Sequence, residues 1–219
     1  MHVLKHYEPP MEPYLNVLYE DAQLLVFNKQ SGLLSVPGKQ LDHRDCLENR
    51  AQERYDDARI IHRLDMETSG VIVMARDKET HKQISKQFER RKIQKTYNAR
   101  LYGLVEANKG SIELPLICDW PNRPKQMVDH EKGKHALTHY RVLEREAAAT
   151  RVVFTPVTGR SHQLRVHALS MGHAILGDRL YGEPASQQAA QRLQLHAHTL
   201  TLFHPAKEAL MTFEAPIPF

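Results

Sequence analysis

The chain has 219 residues and only two cysteines, Cys46 and Cys118, which lie far apart. That scarcity excludes a disulfide-stapled secreted fold and removes the paired thiols from which a structural zinc site is usually built. Long apolar runs are missing as well. The opening residues Met1-His2-Val3-Leu4-Lys5 carry none of the hydrophobic stretch of a signal peptide, and no segment reaches the apolar length of a bilayer span. Both absences point to a reducing cytoplasm and to no membrane partner. A strong charge imbalance is also lacking. Thirty Lys and Arg against twenty-six Asp and Glu leave +4, too little to identify a nucleic-acid partner by itself. No internal repeat, low-complexity tract or interdomain linker interrupts the sequence. It therefore reads as one domain, residues 16–219, behind an arm of residues 1–15 that has no room for a separate folded module. Its length suffices to bury roughly 70% of the unfolded-chain surface without disulfides or metals.

What is present is a succession of short strand signals. Asn16-Val17-Leu18-Tyr19 and Leu24-Leu25-Val26-Phe27 flank polar residues in a hairpin pattern that leads to a turn at Ser31-Gly32. Asp45, with Glu48 three residues on, has the form of a helix start as cap or first-turn residue. Asp77 is placed to cap a helix over Lys78 to Arg91, with Ile84 and Phe88 one turn apart on its inner face. From Ile93 to Leu101 the pattern has a period of two, which puts Tyr97 on the same side as Ala99 and Leu101. Further strands are expected over Thr138 to Leu143, Arg151 to Val157, Gln194 to Phe203 and Met211 to Glu214. Ser161 and Gly172 bracket another helix as cap and stop, and Pro184 opens a short one through Leu193. Strands outnumber helices and rarely alternate with them, so the expected class is α+β, a mainly antiparallel mixed sheet with flanking helices.

Chemistry concentrates in His62-Arg63-Leu64-Asp65-Met66-Glu67-Thr68-Ser69-Gly70, where an aspartate stands among cations, hydroxyl groups and a turn glycine. Arg59-Ile60-Ile61 before it and Val71-Ile72-Val73-Met74-Ala75 after it read as buried strands, so Asp65 would sit on a loop held by the core at both ends. Anchored loops are where catalytic groups usually lie. Further along, Thr158-Gly159-Arg160-Ser161 would offer free backbone amides and a guanidinium to a phosphate, although simple N-capping explains Ser161 equally well. Basic clusters at Arg90-Arg91-Lys92 with Lys95, at Arg123 with Lys125 and at Lys132 with Lys134 suit phosphate contacts or plain solvation. The histidines form two groups, His162 with His167 and His196 with His198 and His204, and no zinc-like ligand pattern accompanies them. Surface or RNA-contacting histidines are the plainer reading, and no metal site is expected.

The signature His62-Arg63-Leu64-Asp65 with Thr68-Ser69-Gly70 resembles that of the RluA-type pseudouridine synthases. The resemblance continues through Lys29-Gln30-Ser31-Gly32-Leu33-Leu34-Ser35-Val36-Pro37-Gly38, Lys95-Thr96-Tyr97, Thr158 to His167 and Ile175-Leu176-Gly177-Asp178-Arg179-Leu180-Tyr181. The segment Leu114 to Gln126 narrows it to members that modify both a tRNA anticodon stem-loop and large-subunit rRNA. The resemblance implies an RNA isomerase, monomeric and without cofactor, that detaches uracil from its ribose at N1, turns it and reattaches it through C5.

Three residues would carry that reaction. Asp65 would attack or support the reacting centre, as carboxylates do in retaining glycosidases. Arg165 would orient Asp65 and keep it ionised, against the alternative of a structural Asp–Arg pair. Tyr97 would line the uracil site as base or stacking wall, unless it is a core tyrosine with its hydroxyl satisfied. Extruding the uridine from folded RNA leaves a gap, for which Arg63 is the candidate filler unless it pairs with Glu67 or Asp65. Other expected RNA contacts are His62, Thr68, Arg160, His162, Arg123 and Lys125. Two rival classes fit the same residues: an RNA-binding or remodelling protein that has lost turnover, and a hydrolytic nucleosidase that releases free uracil.

Overall fold

The alternation between Val17 and Lys29 folds as the expected hairpin. In the computed structural model, which describes residues 7–219, β1 (Val17–Glu20) runs antiparallel to β2 (Leu24–Lys29). Asp21 closes the turn, its Oδ1 accepting the N–H groups of Gln23 and Leu24 at 2.9 and 2.8 Å. This hairpin opens one of two compact units, formed by residues 7–95 together with His196–Pro218. Within it β2 pairs antiparallel with β4 (Ser69–Ala75), and β3 (Arg59–Ile60) pairs antiparallel with β4 at Arg59↔Ala75 and Ile60↔Met74. All of β4 is buried, which is why its sequence is a continuous apolar run rather than an alternation. β4 lies parallel to β11 (Leu195–His204) at Gly70↔Ala197, and β12 (Ala209–Glu214) pairs antiparallel with β11. The parallel contact requires glycine at position 70. Its φ is +115°, and a Cβ there would come within 2.1 Å of the Ala197 carbonyl oxygen.

Two helices cover this unit, α1 (Leu47–Arg54) and α2 (Lys78–Glu89). Asp77 caps α2 as expected, accepting the Thr80 N–H at 2.8 Å, and Ile84 and Phe88 pack with Leu24, Val26, Val71 and Val73. At α1 the cap is Cys46, whose Sγ accepts the Asn49 N–H at 3.5 Å, and not Asp45. The reason is competition: the Asp45 carboxylate takes Nε and Nη2 of Arg50 at 2.6 and 2.7 Å. The buried Arg50 also donates through Nη1 to the carbonyls of Pro10 and Tyr14 at 2.8 and 3.0 Å, which ties the described part of the arm to α1. Residues 1–6 of the expected arm lie outside the described residues.

The other unit comprises Thr96–Leu195 with Phe219. Four antiparallel strands run in the order β5 (Gln94–Tyr102), β10 (Ala149–Pro156), β9 (Leu137–Arg145) and β6 (Lys109–Glu113). A separate hairpin pairs β7 (Leu116–Cys118) with β8 (Gln126–Val128). Helices α3 (Gln163–Ser170) and α4 (Pro184–Gln188) complete it. The period of two in β5 is realised, since Tyr97 packs with Ala99 and Leu101 against Val152, Phe154 and Leu164. The class is therefore α+β with a mostly antiparallel sheet, as expected.

Three local expectations fail here. Helix α3 is not capped by Ser161; His162 is its N-cap residue, in the left-handed region at φ 53°, and the Gln163 side chain reaches back to accept the Arg160 N–H at 3.0 Å. Helix α4 stops at Gln188 instead of Leu193, because Gln194 must already be extended to donate to Leu176 O at 2.9 Å and accept from Arg100 at 3.2 Å. The strand before the Asp65 loop is only Arg59–Ile60, with Arg59 exposed, so it is held by pairing to β4 rather than by burial.

Candidate active site

Asp65 lies on the connection between β3 and β4, so its loop starts and ends on adjacent strands. The end of β2 and the segment after it pin that loop. Buried Lys29 donates through Nζ to the carbonyls of Leu33, Gln30 and Met66 at 2.6, 2.8 and 3.0 Å. Ser35 donates to Leu64 O at 2.6 Å and accepts the Leu64 N–H at 3.1 Å, Ser31 donates to Glu67 O at 2.7 Å, and the Gly32 N–H donates to Met66 O at 2.9 Å. A turn closed from the Thr68 N–H to Asp65 O at 3.1 Å completes the loop. Every residue from Leu64 to Thr68 thus has a main-chain bond, and Asp65 has the anchored backbone expected of a catalytic carboxylate.

His62 and Thr68 face inward. The His62 Nε2 accepts the Val73 N–H at 3.0 Å and its ring stacks at 4.6 Å on Phe88. Burial, with the Lys95 ammonium nearby, holds the His62 pKa down at about 3, and burial also lowers that of Lys95. His62 is therefore a neutral ring with its proton on Nδ1. Thr68 is buried. Arg63, by contrast, is exposed, and among the described residues no ion pair joins it to Glu67.

Tyr97 and Arg165 belong to the other unit. Arg165 is 3% exposed and meets a carboxylate of its own unit, Asp178, itself 1% exposed. Its Nε and Nη2 donate to Asp178 Oδ2 and Oδ1 at 2.8 and 2.6 Å, a bidentate pair that fixes the guanidinium plane. Asp178 Oδ1 also accepts the N–H groups of Leu180 and Tyr181 at 3.0 and 3.1 Å. The turn that delivers Asp178 needs Gly177, with φ +75° and a Cβ that would fall 2.0 Å from Arg192 O. The Tyr181 ring lies 5.1 Å from the Arg165 guanidinium, and its hydroxyl accepts the Gln126 N–H and meets His162 Nδ1, both at 2.7 Å. Arg165, Asp178, Tyr181 and His162 are thus one connected group. Asp178, Tyr181, Lys29 and Ser35 stand in the sequence blocks that carry the family resemblance, but no period or spacing singles out their supporting roles.

The remaining basic candidates lie near this group. Arg160 is half-buried and donates through Nε to His135 O at 3.1 Å; Arg123 stacks at 4.5 Å on Trp120; Lys125 is half-buried beside it. The later histidines are not surface groups as expected. His167, His196 and His204 are buried, hydrogen-bonded to Thr138 Oγ1, Ser69 Oγ and Asp21 Oδ2 respectively, each at 2.9 Å. A buried imidazole satisfied on both nitrogens is a stable core group, which the sequence pattern alone does not distinguish from an exposed one.

Residues 23–170 match the family model described as RNA pseudouridylate synthase. The chain belongs to that family. It is 52% identical over 217 residues to the dual-specificity RNA pseudouridine synthase RluA of Escherichia coli strain K12, covering 99% of both chains. Among solved structures it resembles human RNA pseudouridylate synthase domain containing 1, with TM-score 0.80 and 29% identity over 97% of this chain and 87% of that one. Human RNA pseudouridylate synthase domain containing 4 follows with TM-score 0.74 and 27% identity, covering 93% and 88%. The chain is thus an isomerase acting on uridine in RNA.

Proposed function

We propose that this enzyme converts specific uridines to pseudouridine in two RNA classes, a tRNA and large-subunit rRNA, with Asp65 as its catalytic carboxylate. The observation that carries the reading is the clamped Asp65 loop, in which the backbone that bears the carboxylate is fixed by main-chain bonds on every neighbouring residue. The full-length likeness to a relative named as dual-specificity supports the two targets. It works in the cytoplasm as a monomer, on one catalytic domain; among the described residues no helix is long and apolar enough to cross a membrane.

The reaction breaks the bond from ribose C1′ to N1 and forms one from C1′ to C5, while the proton on C5 is lost and N1 regains one, so the RNA mass is conserved. Asp65 attacks the reacting centre or supports its charge. Arg165, oriented by Asp178, supplies the guanidinium that the reaction uses, and Tyr97 forms a wall of the uracil site. Arg63, exposed two residues before Asp65, fills the gap left by the extruded base. Arg160, His162, Arg123 and Lys125 contact RNA. His62 and Thr68 act through the loop they shape.

The test is incubation of wild type and Asp65→Asn with tRNA and rRNA from a strain lacking the gene, followed by carbodiimide-dependent primer extension. Stops made by wild type on both RNAs and by the variant on neither are expected. Activity retained by Asp65→Asn, or free uracil among the wild-type products, would overturn the assignment.

A further inference from the structure

The hairpin β7–β8 carries at its tip a feature the reaction does not use. Trp120, the only tryptophan of the chain, is 64% exposed, which is a poor resting place for so large an apolar ring. The Arg123 guanidinium lies over the ring, 4.5 Å from its centroid. The tip beneath them is tightly tied. The N–H groups of Asp119, Asn122 and Lys125 donate to Lys125 O, Asp119 O and Asn122 O at 3.0, 3.0 and 3.1 Å, and Asn122 Nδ2 donates to Asp119 Oδ2 at 2.9 Å. At its base, Leu116 and Val128 pack with Val166 of α3, and the Gln126 N–H donates to the hydroxyl of Tyr181, whose ring faces Arg165.

We infer that Trp120, flanked by Arg123, is a stacking platform for an unpaired RNA base outside the uridine site, seated by its hairpin in fixed relation to Arg165. This rests on the RNA substrate argued above. A rigid aromatic face takes up a base with little loss of side-chain freedom, and a guanidinium plane both extends the stack and pairs with phosphate. Arg123 and Lys125 at the tip, with exposed Lys132 and Lys134 at the foot of the hairpin, outnumber Asp119, Asp129 and Glu131, so the segment keeps the sign that an RNA backbone requires. Paired bases present no free face, so the platform reads single-stranded loops and not duplex.

Because Trp120 is the sole tryptophan, its emission reports this site alone. The probes are a stem-loop RNA containing a target uridine and a fully paired duplex of equal length. Saturable quenching by the stem-loop and little change with the duplex are expected. Trp120→Ala is expected to weaken stem-loop affinity by about fivefold or more, with Trp120→Phe recovering most of the loss and Trp120→Leu little of it. As the side chain is exposed, all three variants are expected to keep the wild-type melting temperature. Emission unmoved at RNA concentrations that saturate binding, equal quenching by duplex, or unchanged affinity in Trp120→Ala would each overturn the platform. These readouts need binding only, so a wild type that binds RNA without isomerising it would count against the reaction and not against the platform.

Discussion

Replacing Asp178 by Asn tests whether Arg165 is held by a buried ion pair. Asp178 Oδ1 accepts three N–H groups, from Arg165 Nη2, Leu180 and Tyr181 at 2.6, 3.0 and 3.1 Å, and Oδ2 accepts one, from Arg165 Nε at 2.8 Å. An asparagine keeps the three bonds only by turning its amide NH2 toward the Arg165 Nε–H, donor against donor. With both side chains almost wholly buried, solvent cannot repair the mismatch. Loss of a charge-assisted bond amounts to about 1.5–3 kcal/mol, and removing one partner of a buried ion pair to about 3–5 kcal/mol in total. At roughly 2–4 °C per kcal/mol for a chain of this size, the melting temperature should fall by about 10 °C. Urea unfolding followed by circular dichroism measures the first effect, and single-turnover pseudouridine formation measures the second, a loss of turnover as the guanidinium loses its orientation. Adding Arg165→Met to Asp178→Asn should return much of the stability and none of the activity, because the buried charge is then gone. Asp178→Asn lying within about 1 kcal/mol of wild type with full turnover would refute the reasoning.

Two further outcomes follow from the unit that carries Asp65. Lys29→Met removes the ammonium shared by the carbonyls of Gln30, Leu33 and Met66, and at about 1 kcal/mol for each bond should cost about 3 kcal/mol in urea unfolding and reduce turnover more than RNA affinity; wild-type stability would contradict the clamp. His62 has a folded pKa near 3 against an ordinary value of 6.5. The unfolded state therefore takes up a proton between these values that the folded state refuses, so the contribution of His62 to stability is complete above pH 6.5 and is lost as the pH falls toward 3. Its ring resonances in NMR should stay at neutral positions through pH 5, and a normal titration near 6.5 would show that the ring is not buried.

The Asp65 loop was legible because two independent signals agreed on it: a cluster of charged and hydroxyl residues, and an apolar run behind it that is long enough to be a buried strand. Tyr97 was legible for a similar reason, since a strict period of two fixes its companions on β5. The Arg165–Asp178 pair was not, because the pair is thirteen positions apart across a helix end and an irregular turn, and no period connects them. Asp45 and Ser161 show the limit of capping signals, which reveal that a helix starts nearby but not which neighbour wins the amides once Arg50 or Gln163 competes. Strands β6, β7 and β8 escaped because they are short and half-polar; of Lys109–Glu113 only Ile112 is buried. The two units also left no trace in composition, because the two main changes of unit fall inside strands, after Lys95 and after Leu195, where the sequence pattern runs on unbroken.

The site residues share a mode of support that explains the form of the motifs. Apolar packing holds an element in place but lets neighbouring side chains re-sort with small shifts, whereas a buried hydrogen bond fixes both distance and direction, and leaving it unmade is costly. Asp65 is held through Lys29, Ser31 and Ser35, and Arg165 through Asp178, all by bonds of this second kind. In each case the supporting group is in a different block of sequence from the group it supports. Neither block alone can place its functional side chain: without Lys29 and Ser35 the loop of Asp65 loses its floor, and without the Gly177 turn Asp178 does not reach Arg165. The proposed reaction, which detaches a base and must recapture it through another atom, calls for each of these groups to be held firmly by its own surroundings. The separated blocks are thus the two halves of each clamp.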